Sequence, residues 1–351
     1  MRKARPLIAL AVALAAGGWL VAAVESGPST PPPSATPAAA ALASAPAPVV
    51  FSARLSDGAE YTPLFYASAA ASIGTAPTPD GSADRLVLRD RGGDRELRRL
   101  PRDRFAQFLG LTAADGALYW AESAADPDGT YETRMWRAPL DGSSPPASLT
   151  ADTGAAVFFD SEYDLVVADG RLHWVAAPPD DGVRTELRSI AITGGPVTTA
   201  SFEGRFRHTG WPWLLSVDDQ APLVLANPQT RERRTITRAA AESIACTPVW
   251  CRSMVQLGDR HIYDVLRPDG TARRRVPGEL TAVTIDNALA GRYEIFTEAQ
   301  GATVRLVAYD VDAGTIHPLG TDIGVTTARA GVVWWADRPA NPTAWKSVDL
   351  R

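Results

Sequence analysis

The chain has 351 residues, of which 45% are hydrophobic and 21% charged, and its net charge is −5. That is enough apolar material for one large domain or two ordinary ones. The modest acidic balance excludes nucleic-acid binding through the overall field of the molecule. Lysine occurs only at Lys3 and Lys346, so nearly all positive charge is arginine. With the alanine richness, this reads as the coding bias of a GC-rich genome.

Arg2, Lys3 and Arg5 precede an uncharged, mostly apolar run from Leu7 to Val24, which ends at Glu25. This is the layout of a secretory signal, and Val21-Ala22-Ala23 offers small residues for cleavage. The run is as long as the ~18 residues that begin to span a bilayer. Residues 1–25 are therefore a signal peptide or an uncleaved signal anchor. Either way, positive charge ahead of the run predicts that the rest of the chain lies outside the cytoplasmic membrane, secreted or anchored to it. No cysteine near the end of the run supports a lipoprotein anchor. Residues 26–48 are built from Pro, Ala, Ser and Thr, including Pro31-Pro32-Pro33, and predict an extended linker without a core.

From Val49 to Arg351 the pattern is strand and turn, with no long helix. A short turn followed by an aromatic-bearing strand appears as Asp115-Gly116-Ala117-Leu118-Tyr119-Trp120 and again as Asp169-Gly170-Arg171-Leu172-His173-Trp174. Looser copies begin at Gly291 and Gly331. A second strand follows each copy and ends in a polar turn, as in Met135 to Leu140 before Asp141-Gly142 and His261 to Leu266 before Asp269-Gly270. Asp-Gly and Gly-Gly suit the positive backbone angles of hairpin turns.

The spacing of Gly116 and Gly331 gives a mean period of roughly 43 residues, within the range for four-stranded propeller blades. One such sheet leaves both faces bare, and a closed ring of them buries every face. Second-strand copies at Arg85, Met135, Glu186, Leu223, His261, Val304 and Ala344 predict seven blades. The last copy leaves no room for a fourth strand, so a strand near Val49 to Leu55 is expected to supply it. Blade four, around Gly210 to Ile236, is the thinnest. If it is an insertion, six blades remain.

Asp160, Glu162 and Asp164 alternate around Tyr163. On a strand they would share one face and could bind a divalent ion, although a solvated acidic strand or loop explains them as well. Trp211-Pro212-Trp213, beside His208, reads either as a packed turn or as a sugar- or peptide-binding surface. Trp120, Trp136, Trp174, Trp250, Trp334 and Trp335 read as fillers between blades, each indole N–H finding an acceptor. Arginine clusters at Arg95, Arg98 and Arg99, at Arg231, Arg233 and Arg234, and at Arg273 to Arg275 follow hairpin turns. They belong on outermost strands, where charge discourages edge-to-edge pairing. Cys246 and Cys251, the only cysteines, flank a four-residue turn and predict a disulfide across an antiparallel pair. No motif identifies a catalytic, cofactor or metal residue.

The repeats, the leader and the stretch Ala245-Cys246-Thr247-Pro248-Val249-Trp250-Cys251-Arg252, followed by Asp269-Gly270 and Arg273-Arg274-Arg275, together resemble TolB-like propeller proteins of the bacterial envelope, especially actinobacterial secreted ones. The resemblance covers most of the chain after the linker. It implies a propeller that binds proteins or envelope components, and it carries over no catalytic residue. Such domains are usually six-bladed, so seven blades are a departure. The expected function is a monomeric, non-catalytic binding or scaffolding module for a protein or cell-envelope ligand. The alternative is a hydrolase or lyase acting on a carbohydrate or lactone, with Asp160, Glu162, Asp164 and His208 gathered at the central channel.

Overall fold

The computed structural model describes residues 46–126, 128–180, 183–217, 222–239, 241–284, 286–287, 291–338 and 343–351. The leader at 1–25 and the linker up to residue 45 lie outside the described residues. Strand β1 is Val49–Ser52. Blade 1 follows as β2 (Thr62–Ser68), β3 (Ala71–Pro77), β4 (Ala83–Asp90) and β5 (Gly93–Pro101). Blade 2 is β6 (Gln107–Ala114), β7 (Ala117–Ala125), β8 (Tyr131–Pro139) and β9 (Ala147–Thr150). Blade 3 has a split inner strand, β10 (Ala155–Ala156) and β11 (Val166–Ala168), then β12 (Arg171–Ala177), β13 (Arg184–Ala191) and β14 (Thr198–Glu203). Blade 4 is β15 (Phe206–His208), β16 (Leu214–Ser216), β17 (Leu223–Ala226) and β18 (Arg233–Ile236). Blade 5 is β19 (Glu242–Cys246), β20 (Cys251–Leu257), β21 (Arg260–Leu266) and β22 (Arg274–Arg275). Blade 6 is β23 (Leu280–Ala282), β24 (Tyr293–Gln300), β25 (Thr303–Asp310) and β26 (Thr315–Thr321). Blade 7 holds β27 (Ile323–Arg329), β28 (Val332–Asp337) and β29 (Ala344–Asp349).

The seven sheets are antiparallel meanders, and β1 completes the last of them in the order β1-β29-β28-β27. The chain is therefore a seven-bladed β-propeller, and the thin fourth blade is a complete four-stranded sheet rather than an insertion. The only helix among the described residues is a 3-10 turn at Arg102–Arg104. The Asp-Gly turns form as their sequence requires: Asp115, Gly116, Asp169 and Gly170 all have positive φ, between 50° and 73°.

The burial of central strands on both faces, as in β7 and β28, follows from the ring, while outer strands such as β14 stay exposed. Apolar clusters fill the seams between neighbouring blades, and they are rich in aromatics, with Trp120, Trp174, Trp334 and Trp335 at most 1% exposed. The expectation that every indole N–H finds an acceptor holds for Trp174, which donates to the Thr153 carbonyl at 2.9 Å. It fails for Trp120 and Trp136, whose buried Nε1 atoms have no partner among the described residues. The Arg98 guanidinium instead stacks 3.9 Å from the Trp136 ring centroid.

The arginine clusters lie on or beside the outermost strands β5, β18 and β22, as expected, yet several reach across to the next blade. Arg98 makes two hydrogen bonds to Glu122 at 2.8 Å, Arg95 reaches the Leu140 carbonyl at 2.5 Å, and Arg274 reaches the Val311 carbonyl. They tie blades together as well as charging the rim. Cys246 and Cys251 are paired across β19 and β20 and joined by a disulfide with a Cα separation of 4.0 Å.

Ring closure rests on β1, whose Val49 to Ser52 pair with Ser347 to Ala344. Deleting residues 1–52 leaves the β29 edge unpaired and exposes a hydrogen-bonding template. The expected outcome is a lower unfolding temperature by calorimetry together with concentration-dependent association by size-exclusion chromatography. An unchanged transition would show that β1 does not close the ring.

Candidate functional site

The first strand of each blade lies nearest the axis. In blade 3 that strand is interrupted: β10 pairs with the far end of β12 and β11 with its near end, and residues 158–165 leave the ladder between them, after the Val157 N–H has donated to the Val175 carbonyl at 3.0 Å. The excursion is a turn closed by Asp164. Its carboxylate accepts hydrogen bonds from the backbone N–H groups of Phe159 at 2.9 Å and Ser161 at 3.1 Å. The Tyr163 N–H donates to Ser161 Oγ at 3.1 Å, and Asp160 takes a left-handed φ of 56°.

This turn crosses the centre of the ring. Ser161 Oγ donates to both carboxylate oxygens of Asp286, at 2.8 and 2.9 Å, and the Glu162 N–H donates to Asp286 at 2.9 Å. Asp286 belongs to the β23–β24 connection of blade 6, three places from blade 3, the largest separation a seven-membered ring allows. In blade 7, Arg329 donates to the Asp160 side chain at 2.7 Å, and the Ala330 N–H donates to Glu162 Oε2 at 2.5 Å. On the opposite flank Phe158 and Leu165 pack on Gly110 of β6. A Cβ there would lie 2.9 Å from Leu165 Cγ, and φ is +55°, so both space and backbone require glycine.

Asp286 links the turn to two further blades. Its side chain pairs with Arg207 of β15 at 3.0 Å. Its carbonyl accepts from Arg252 of β20 at 3.1 Å, and Arg252 pairs with Glu294 of β24 at 2.7 Å, both side chains buried. Burial, and then the nearby Asp286 charge, raises the Glu162 carboxyl above its ordinary value. Burial likewise pushes Asp164 up to about 6, against the lowering effect of its two backbone hydrogen bonds. The arrangement is a saturated carboxylate–arginine hub that occupies the axis.

Asp160, Glu162 and Asp164 therefore do not share the face of a strand. They sit on a turn and point apart: Asp160 is 96% exposed, Glu162 bonds blade 7, and Asp164 caps its own loop. Asp286, Arg207, Glu294 and Arg329 carry no sequence signal, and Arg252 figures only as the end of the stretch that carries the resemblance, because each is a single residue on a separate strand or loop. Among the described residues no group of three or more His, Cys, Asp or Glu side chains is placed to hold a metal ion.

The remaining candidates lie in the β15–β16 connection. The turn from Thr209 to Trp213 is closed by the Trp213 N–H donating to Gly210 O at 2.7 Å. Trp213 itself is buried among Leu215, Leu223 and Leu225, with Arg234 4.4 Å above its ring, and offers no free surface. Trp211 is half-buried. Its ring lies 3.9 Å from that of His173, and its Nε1 donates to Asp169 Oδ2 at 3.2 Å. Gln229 donates to the same oxygen at 3.4 Å. Trp211, with the exposed Asp169 and Gln229, forms an aromatic and amide platform held in place from beneath. The candidate residues thus fall in two places: the axial turn, and this platform with His208 behind it.

His208 is 2% exposed, and neither ring nitrogen has a partner among the described residues. Burial, reinforced by the neighbouring His173, lowers it to about 3. Burial lowers His173 to about 4.

No family model matches the chain, and no curated protein matches it. Solved structures do. An oligogalacturonate lyase in complex with manganese is similar at 12% identity and a TM-score of 0.52, over 88% of this chain and 99% of that one. A puromycin hydrolase is similar at 14% identity and a TM-score of 0.44, over 78% of this chain and 58% of that one. The β-propeller domain of the trilobed protease from Pyrococcus furiosus is similar at 10% identity and a TM-score of 0.45, over 67% and 79%. The structures it is similar to are β-propeller proteins, and the likeness is one of fold.

Two outcomes follow from this geometry. Asp286→Ala leaves Arg207, Ser161 and the Glu162 N–H without their partner, at a cost of about 3–5 kcal/mol, measurable by urea unfolding. A loss below about 1 kcal/mol would show that the hub does not hold the axis. The second concerns acid. Because His173 and His208 are depressed in the fold, the stability they contribute is complete above 6.5, their ordinary value, and is lost as pH falls toward 4 and 3. His208→Leu should therefore shrink the drop in melting temperature between neutral pH and pH values near 4. Parallel curves for variant and wild type would assign the acid sensitivity elsewhere.

Proposed function

We propose that this is an extracytoplasmic binding propeller of the TolB-like, actinobacterial kind, secreted or held at the cytoplasmic membrane by its N-terminal segment. It works as a non-catalytic monomer on a protein or cell-envelope ligand. The observation that carries the reading is the contrast between the two candidate places. At the axis every carboxylate is engaged by backbone N–H groups or arginines, so the centre is spent on holding the ring. At the platform the indole of Trp211 is fixed by His173 and Asp169 beside exposed hydrogen-bonding groups. An aromatic face with adjacent polar groups suits a sugar ring or an extended peptide.

A second reading has its own support: a propeller lyase or hydrolase acting on a carbohydrate or lactone. The likeness in fold to an oligogalacturonate lyase favours it over the first. The raised carboxyls of Glu162 and Asp164, beside Tyr163 and Arg329 near the axis, are the groups it would use.

The experiment compares wild type, Trp211→Ala and Glu162→Gln. Under the first reading, Trp211→Ala loses about tenfold in retention on cell-wall glycan or in pull-down from envelope extracts, and Glu162→Gln binds normally. Turnover of oligogalacturonides or lactones by the wild type, abolished by Glu162→Gln, would replace it with the second.

A further inference from the structure

The seams between blades are not equally filled. Six of the apolar clusters contain eight or more buried residues, whereas the seam between blades 3 and 4 contains three: Val175, Phe206 and Leu214. The cause is local. The strands of blade 4 are only three or four residues long, while β14, which faces it from blade 3, has six. A short sheet set against a longer one leaves part of the seam without side chains.

That part is an open cavity of about 310 Å³. Its walls are Phe202 of β14, Phe206, Leu214 and Ala226, and Arg231 and Arg233 stand on its lining. The volume is at the lower end of the range for small-molecule sites. Neither Arg231 nor Arg233 makes an ion pair among the described residues, in contrast to the neighbouring Arg234, which pairs with Glu232 at 2.7 Å. The Arg233 guanidinium lies 5.5 Å from the Phe206 ring centroid, over the apolar wall, and Arg231 is held at a left-handed φ of 62°. Glu232 also lines the cavity, but its carboxylate is taken by Arg234.

We infer that this cavity is a binding site for a small amphipathic anion: a medium-length apolar chain seated between Phe202, Phe206 and Leu214, with one carboxylate or phosphate head at Arg231 and Arg233. An apolar floor takes the chain out of water. Two guanidinium groups without a carboxylate partner supply the donors that a carboxylate or phosphate accepts. The site shares no residue with the Trp211 platform and stands whether or not the reading above holds.

Thermal shift and calorimetry with octanoate, octyl phosphate and neutral 1-octanol test it on the full chain. Octanoate or octyl phosphate should stabilise the protein saturably, and more strongly than octanol; which anion binds tighter tells a carboxylate from a phosphorylated amphiphile. Arg231→Gln with Arg233→Gln should weaken the anions about tenfold, leave octanol unchanged, and leave the melting temperature of the free protein near that of wild type. Ala226→Phe should block all three ligands. Equal binding of octanol and the anions, no saturable shift with any of them, or indifference of the anions to the double Arg substitution would each overturn the assignment. If Ala226→Phe raises the melting temperature while none of the ligands binds the wild type, the cavity is a packing defect and the assignment fails.

Discussion

The constraint on which this molecule rests is that each of its sheets is apolar on both faces. A four-stranded blade offered singly to water would expose two such faces, and an open stack of seven would still expose one at each end. Pairing β1 with β29 removes both ends at once. It brings Tyr66 of blade 1 within 4.9 Å of Trp334 of blade 7, ring centroid to ring centroid, and completes a cluster that includes Val87, Val332 and Trp345. Aromatic side chains bury large areas and gain further from tilted contacts of this kind. The entropy of joining residues so distant in sequence grows only slowly with the length of the intervening chain, so closure costs little more here than in a smaller ring.

Closure creates a second problem, which is the axis. A ring of seven sheets leaves a hole lined by the edges of inner strands, and this chain fills it by giving up part of one ladder. Between β10 and β11 the strand stops pairing and crosses to blade 6, and the lost backbone hydrogen bonds are replaced by Asp164 capping its own turn and by Asp286 receiving the turn from across the ring. Two carboxyls forced together out of water are unfavourable, which is why Glu162 is raised beside Asp286. Arg207, Arg252 and Arg329 offset that by joining blades 4, 5 and 7 to the same knot. A half-satisfied network at this place would be worse than none. Its completeness is what allows acidic groups to sit at the hub of the fold.

The parts that were legible in the sequence are those whose cause is local. Alternation over short runs, Asp115-Gly116 and Asp169-Gly170 at positive φ, the spacing of Cys246 and Cys251, and the missing fourth strand after Leu350 each depend on a few neighbouring residues. The hub depends on none of them. Ser161 and Asp286 are 125 residues apart, and Asp160 and Arg329 are 169 apart, so no window of sequence contains the pair. Where a local pattern was present it misled. The period of two in Asp160, Glu162 and Asp164 is that of a strand face, but a carboxylate four places along from Asp160 is also well placed to cap a turn, and tertiary contacts at the axis decide between them. The arginine clusters lie on or beside the outermost strands that their turns imply, yet their reach onto the next blade depends on which residues the ring brings opposite.

Blade 4 shows how one weakness in a repeat can produce several features together. Its strands are too short to cover β14, so the seam with blade 3 is thin and a cavity remains. The connection between its first two strands is five residues, 209–213, where blades 2 and 3 use a two-residue Asp-Gly turn, and the extra length carries Trp211 out to Asp169 and His173. The β17–β18 turn then serves both sides, since Gln229 reaches the Asp169 carboxylate while Arg231 borders the cavity. Each of these departures from the repeat relaxes packing at the same blade. The other six seams hold more buried residues than this one, and in a closed ring they keep the weak blade in register. A fold of this kind therefore tolerates irregular chemistry at one blade because the remaining seams bear the burial, both where it opens to solvent, at Asp169, Gln229 and the cavity, and where it is buried, at His208.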